Sequence, residues 1–331
     1  MYKYNEQELI QMYRSGLALR GQVGTRIDAA CDKGLRNLCW MGIGGTWASC
    51  LQADVHMREK SALEILVENA AEYLTTGNRR VGEGTLMIIS SVTGTTKEMV
   101  AAVQKAQKDG AEVLGFIDTP DTDLASLVDH CITSPRNEQI KFFLAADRLM
   151  YREGVFPEFE KYYDTLEQYL PEALAAIEKQ ADDFAASFVK EHKEDPLTYF
   201  VGAGALYGAT YSYAMCYWEE MHWMRTKSIH AGEFFHGMLE IIDEDTPVVV
   251  LQGEDSQRPL TERVVRFLEK YSRNYTVIDS GEYELPGIPK EYRGSVSHLV
   301  VHAVTNRIDC NLEEQTGHDM QIRRYYRKVD V

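Results

Sequence analysis

The sequence predicts an α/β fold made of two duplicated domains, each a parallel sheet sandwiched by helices. Three observations carry this. Short apolar runs alternate with amphipathic helical segments, the pattern of repeated strand–helix units. Twice, the first such run ends in a small-residue turn, Ile43-Gly44-Gly45-Thr46 and Gly202-Ala203-Gly204-Ala205. The two halves also superpose by counting. Gly44 and Gly204 are 160 residues apart, and the runs starting at Thr85 and Thr246 are 161 apart, as are Asp118 and Asp279. A spacing this long marks a domain duplication rather than a solenoid.

In order, residues 1–34 read as helix, with Leu9, Ile10, Tyr13 and Leu17 at helical spacing. Residues 37–42 (NLCWMG) read as a buried strand running into the first glycine turn and a helix toward Met57. Ile65–Val67 is a second strand, and Thr85–Ser90 (TLMIIS) a third, followed by a helix from Glu98 to Lys108 that Gly110 ends. Glu112–Asp118 and Asp129–Thr133 complete the first sheet. Residues 137–193 read as helices with one break at 153–157. The pattern then restarts, with strands at 197–201, 246–252 and 274–280. A helix is expected from about 207 to 224, another over 261–271 and a last one over 295–316. The expected organisation is a helical segment over 1–34, a first domain over 35–155, a helical connection over 156–194 and a second domain over 195–331 with a basic, aromatic tail.

The length of 331 residues fits about two domains at ~150 residues each. With 51 acidic against 35 basic residues the formal charge is −16, which argues against nucleic acid or an anionic membrane as the main partner. The N-terminus has no apolar signal-peptide core, and no run of about 18 apolar residues exists to span a membrane. Cysteines at 31, 39, 50, 131, 216 and 310 form no C-x-x-C or metal-type spacing, so reduced thiols in a cytoplasmic protein are expected.

Two stretches carry chemistry. Ser91, Thr93, Thr95 and Thr96, with Gly94, lie between a buried strand and a helix N-terminus. That position offers free amides and the positive dipole end, a cup suited to a phosphate monoester without a metal. It is neither a Walker loop nor a dinucleotide fingerprint. Helix capping by Thr95 or Thr96 is the alternative use of the same residues. The equivalent loop of the second half, Gly253-Glu254-Asp255-Ser256, carries two carboxylates that would repel a phosphate, so one cup per chain is expected.

The second stretch, Trp218–Glu240, gathers Glu219, Glu220, Glu233 and Glu240 with His222, His230 and His236. On a regular helix, Glu220 would lie on the stripe of Tyr213, Tyr217 and Met224, where burial raises a carboxylate pKa and suits it to take a proton from carbon. The alternative is a core carboxylate paired with an arginine such as Arg225. Glu219 and Glu240 read as solvated. His236 stands in a glycine-flanked loop where a ring can turn toward a ligand, with His230 and Glu233 as neighbours or caps. The histidine spacing matches no metal motif, so no metal and no organic cofactor are expected.

The duplicated sheet together with GIGGTWAS, SSVTGTTKE and HAGEFFHG resembles the sugar isomerase (SIS) domain proteins over essentially the whole chain. It is most similar to the fructosamine 6-phosphate deglycases and more distantly to the isomerase half of glucosamine-6-phosphate synthase. The resemblance implies Glu220 as base and His236, sixteen residues later, as acid. It implies Thr46, Ser91, Thr93 and Thr96 as phosphate ligands on a turn and loop supported by Gly44, Gly45 and Gly94, with His230 and Glu233 as support for the acid–base pair. It also implies a homodimer or higher homo-oligomer with sites at the interface, so that His236 would serve the partner subunit's site. Met238 replaces a proline usual after H-G, and Ile43 stands where relatives often carry Cys. Lys328 matches the synthase's C-terminal lysine without a firm role.

The implied activity is cleavage of a 6-phosphorylated sugar–amino acid adduct to a hexose 6-phosphate and a free amino acid through an enaminol. An aldose–ketose phosphosugar isomerase or amino-sugar phosphate deaminase would use the same groups. A non-catalytic sugar-phosphate sensor is the reading from another class, and it would need no acid–base pair. The acid–base stretch belongs to the half without the cup, so it would have to reach a ligand anchored elsewhere.

Overall fold

The computed structural model describes residues 1–329; positions 330 and 331, the end of the second expected domain, lie outside the described residues. The chain divides into two units, residues 10–171 and residues 1–9 with 172–331. Between them they contain two parallel sheets flanked by helices, the α/β architecture expected.

The first sheet has the order β2-β1-β3-β4-β5, from β1 (Asn37–Gly42), β2 (Glu64–Asn69), β3 (Thr85–Ser91), β4 (Glu112–Ile117) and β5 (His130–Ile132). Its helices are α1 (Glu6–Leu17), α2 (Arg20–Asp32), α3 (Gly45–Arg58), α4 (Ala70–Thr76), α5 (Lys97–Asp109), α6 (Asp123–Leu127) and α7 (Glu138–Glu153). Every residue of β1 and β3 is buried, as strands covered on both faces must be. Alternation sorts their side chains. Cys39, Met41, Met87 and Ile89 share a core with Tyr73, Met99 and Val103, while Trp40 packs on Phe142 at 5.0 Å between ring centres. The helix α5 ends at Gly110 in the left-handed conformation, whose amide closes the last turn on Ala106 and Gln107.

The second sheet has the order β7-β6-β8-β9, from β6 (Thr198–Gly202), β7 (Thr226–His230), β8 (Val248–Gln252) and β9 (Tyr275–Asp279). Its helices are α8 (Phe159–Gln180), in which Pro171 marks the division between units, α9 (Asp182–His192), α10 (Ala205–Ser212), α11 (Arg258–Tyr271) and α12 (Lys290–Thr316). Residues 1–9 are fastened to α12. The fully buried Arg307 donates to the Tyr2 carbonyl at 3.0 Å and to Asp182 at 3.1 Å, and Lys3 pairs with Glu313 at 2.7 Å. Of the six cysteines, none in a disulfide, 39, 50 and 310 are buried, while 31, 131 and 216 are half-buried.

Two expectations are corrected. Residues 226–230, to which the expected strands at 197–201, 246–252 and 274–280 assign nothing, form the edge strand β7, paired with β6 from Thr198–Thr226 to Gly202–His230. The run TKSIH is half-exposed and only partly apolar, which hid it. Counting would have found it, because β2 begins 162 residues earlier at Glu64. The helix expected over 207–224 is not regular either. After Ser212 it widens into a π-helical stretch, Tyr213–Glu219, and Glu220 and His222 donate to the carbonyls of Met215 and Tyr217, five residues back, at 3.0 and 3.1 Å. Trp223, at φ +59°, ends it.

The duplication is visible in the backbone. Gly44 (φ +61°, ψ −130°) and Gly204 (φ +61°, ψ −143°) cap α3 and α10 in the same glycine-specific conformation. Their surroundings differ. A Cβ on Gly44 would meet nothing within 4 Å, whereas one on Gly204 would lie 2.5 Å from Asp255 Oδ2. Gly44→Ala should therefore cost only the backbone strain, about 1–3 kcal/mol, and Gly204→Ala distinctly more. Adding Asp255→Ala should recover the excess at 204 and nothing at 44, read as denaturant midpoints.

Candidate active site

In open parallel sheets, ligands settle beyond the carboxyl ends of the strands where strand order reverses. In the first sheet this switch lies between β1 and β3, and the loops leaving those strands are the Gly44 turn and residues 91–96. Ser91 is buried, and its Oγ accepts the Gly94 amide at 3.0 Å. Gly94 (φ +64°) leaves no room for a side chain, since a Cβ there would sit 2.0 Å from Thr122 Oγ1. Thr95 Oγ1 lies 3.3 Å from Thr93 Oγ1. Thr96 precedes α5 with extended backbone and makes no side-chain capping bond. The capping use of Thr96 is thus not taken. Thr46, in the first turn of α3 after Gly45, gives its hydroxyl to Glu138 Oε2 at 3.0 Å.

The corresponding switch of the second sheet, between β6 and β8, is filled from within. The Asp255 carboxylate stands against Gly204, and Glu254 pairs with Arg293 at 2.8 Å. Arg258 pairs with Asp279 at 2.6 Å, which holds the Asp279 carboxyl below its ordinary range against the opposing effect of burial. A carboxylate in the crevice excludes an anion by simple repulsion.

The acid–base stretch is rearranged by the π segment. Glu220 does not lie on a buried aromatic stripe: its side chain is 31% exposed, and Oε1 accepts Arg323 Nε at 2.8 Å. The partner is this tail arginine, not Arg225. The wider turn of a π-helix rotates every later residue, which is why spacing arithmetic failed here. Glu219 is exposed and accepts from Thr226 Oγ1 at 2.7 Å. His222 is buried, with Nε2 3.3 Å from Asp309 Oδ1 in poor hydrogen-bond alignment, and burial raises the Asp309 carboxyl. The tail returns over this turn, with the Arg324 guanidinium 4.4 Å from the Trp223 ring centre and His318 against the same ring.

His230 ends β7, and its ring meets Tyr207 edge-on at 5.0 Å. Glu233, His236 and Glu240 are exposed, on the tight turns Phe234–His236 and Met238–Ile241 or just before them. Glu220 precedes the first residue of β7 and His236 follows its last. The five-residue strand between them spans ~16 Å at ~3.3 Å per residue. Among the described residues, no three His, Cys, Asp or Glu side chains converge as a metal shell would, and no helix is long and apolar enough to cross a membrane.

Comparison with known proteins gives this geometry a context. The SIS domain family matches residues 35–147. The Bacillus subtilis (strain 168) fructosamine deglycase FrlB is 32% identical over 282 residues, covering 82% of this chain and 85% of that protein. The chain belongs to the SIS domain family. A second relative, the fructoselysine 6-phosphate deglycase of Escherichia coli (strain K12), is 25% identical over 72% of each chain. A Bacillus subtilis structure provisionally described as a phosphosugar isomerase superposes with a TM-score of 0.87 at 29% identity, covering 94% of this chain and all of the other. The C-terminal domain of glucosamine-fructose-6-phosphate aminotransferase from Francisella tularensis, at 14% identity and a TM-score of 0.75 over 94% and 96%, shares the SIS fold.

Sequence reasoning did not single out Glu138. Its hydroxyl partners lie 92 and 89 residues away, beyond any local spacing rule. The pairing of Arg323 with Glu220 spans 103 residues and was equally out of reach.

His230 supports a test of this local architecture. Burial lowers its pKa, only partly opposed by Glu233, and its Nδ1 accepts the Gly232 amide at 3.0 Å, which requires the neutral ring. The unfolded chain therefore binds this proton more tightly than the folded one. The stabilising contribution is full above the ordinary value near 6.5 and is lost as pH falls below it. The imidazole resonances of His230 should titrate below 6.5, and His230→Gln should flatten the fall in denaturant midpoint between neutral pH and pH 5.

Proposed function

We propose that this SIS protein is a deglycase acting on a 6-phosphorylated sugar–amino acid adduct. The observation that carries the reading is the hydroxyl-lined turn at the β1–β3 switch point, suited to a phosphate monoester by its amides, hydroxyls and helix N-terminus. Similarity to a fructosamine deglycase at 32% identity supports the reaction class. Ser91, Thr93 and Thr96 would hold the phosphate, and that remote binding energy would position the reacting carbon.

Glu220 would take the proton from the carbon bearing nitrogen, giving an enaminol. Reprotonation at the adjacent carbon, with His236 as acid, yields an imine. Water adds to the imine and the carbon–nitrogen bond breaks, releasing a free amine and a hexose 6-phosphate. The chain's own acid–base groups suffice for each proton transfer. Arg323 on Glu220 keeps the carboxylate oriented until substrate displaces or joins it.

Because β7 stands between Glu220 and His236 of one chain, we infer a homodimer in which His236 of the partner subunit serves the site of Glu220. Mixing a Glu220→Gln chain with a His236→Asn chain should then restore part of the activity each lacks alone, whereas acid and base acting within one chain would leave the mixture dead.

A second reading, phosphosugar isomerisation, is favoured by the likeness at 29% identity to the Bacillus subtilis structure described above. Incubation with a panel of 6-phosphorylated sugar–amino acids, with mass detection of released amine, separates the two. Glu220→Gln should lower turnover by about 10²–10⁴-fold, the usual worth of a general base, with hexose 6-phosphate binding retained. Wild-type-like turnover in that variant removes Glu220 from the mechanism.

A further inference from the structure

Glu138 is a carboxylate at the β1–β3 switch point that the chemistry above does not use. It is half-buried, the first residue of α7, and each oxygen accepts a hydroxyl from the first turns of α3, Thr46 Oγ1 at 3.0 Å and Ser49 Oγ at 2.6 Å. Its aim is fixed. Arg136 and Asn137, immediately before it, are both left-handed at φ +62° and +57°. The Arg136 amide donates to Asp118 Oδ2 at 2.8 Å, and Asn137 Nδ2 donates to the Met12 carbonyl at 2.6 Å. Lys141, one turn along α7 and fully buried, gives hydrogen bonds to Asp118 Oδ1 at 2.7 Å and the Ser134 carbonyl at 2.9 Å. Two left-handed non-glycine residues are costly, and the pair between the buried Lys141 ammonium and the half-buried Asp118 carboxylate holds the turn that contains them.

Hydrogen-bond polarity then decides what this corner can bind. A hydroxyl has one hydrogen, and that of Thr46 is spent on Glu138. Toward a ligand, Thr46 and Glu138 therefore present lone pairs. A phosphate needs donors and is repelled by a neighbouring carboxylate. A sugar hydroxyl is itself a donor and needs an acceptor. A carboxylate has about four acceptor positions, of which Thr46 and Ser49 use two. The loop 91–96 offers the opposite polarity, in amides and hydroxyls.

We propose that Glu138, with Thr46, is the hydroxyl-reading corner of the site, accepting hydrogen bonds from the hydroxyl groups of the phosphorylated sugar chain while residues 91–96 take the phosphate. Thr46 moves from phosphate ligand to sugar ligand. Glu138 is a specificity-determining residue, since it distinguishes a phosphorylated polyol from phosphate itself. This rests on the sugar-phosphate reading above.

The test is calorimetric binding of fructose 6-phosphate, glucose 6-phosphate and inorganic phosphate to the full chain, which needs no turnover. Wild type should bind a hexose 6-phosphate more tightly than inorganic phosphate. Glu138→Gln should weaken the hexose phosphates at least tenfold and leave inorganic phosphate unchanged or tighter. Glu138→Asp, which keeps the charge and shortens the reach, should show the same pattern with a smaller loss, and it carries the test if the Gln variant does not fold. Parallel loss of all three ligands would make Glu138 a scaffold of the cup, and no change in any would remove it from the site; either overturns the proposal. Failure of wild type to bind any hexose phosphate would overturn the sugar-phosphate reading itself, and the proposal with it.

Discussion

Both halves of this SIS protein depend on one backbone constraint. The chain leaves the first strand of each sheet through a glycine at φ +61° and starts a helix from it. Few L-residues tolerate that conformation. Because the turn is so tight, the amides at the start of α3 and α10 arrive at the carboxyl edge of the sheet, beside the loop from the next strand. The crevice, its polarity and the placement of Thr46 all follow from that geometry.

The duplication explains how two equal frameworks came to differ. Around Gly44 the crevice is open, and around Gly204 Asp255 closes it. The second half contributes elsewhere. Its edge strand β7 separates two turns, one bearing Glu220 and the other bearing His236. The first half thus has the features of a binding half, and the second carries proton-handling side chains on its rim.

Much of the fold was legible in the sequence because it is local. Fully buried strands such as 37–42 and 85–91 announce themselves as unbroken apolar runs, and the cup is a contiguous string of hydroxyls around Gly94. The features that escaped depend on non-local pairing or broken periodicity. β7 is defined by its bonds to β6 rather than by its own composition. The environment of Glu220 was misjudged because a 3.6-residue period was extended through a segment that does not have it. Arg323 and Glu138 meet their partners only after folding.

The π stretch Tyr213–Glu219 carries a lesson about heredity. A π turn holds one residue more than the α turn it replaces, so it behaves as a single-residue insertion absorbed without lengthening the helix. Such an insertion swings everything downstream by roughly 100° about the helix axis. The face to which Glu220 is presented can therefore be reset by gaining or losing one codon upstream, with no core side chain exchanged and the sheet left intact. A duplicated gene could acquire a new reactive rim in one step of that kind. Alignments that forbid gaps inside helices would then pair the wrong residues across this segment.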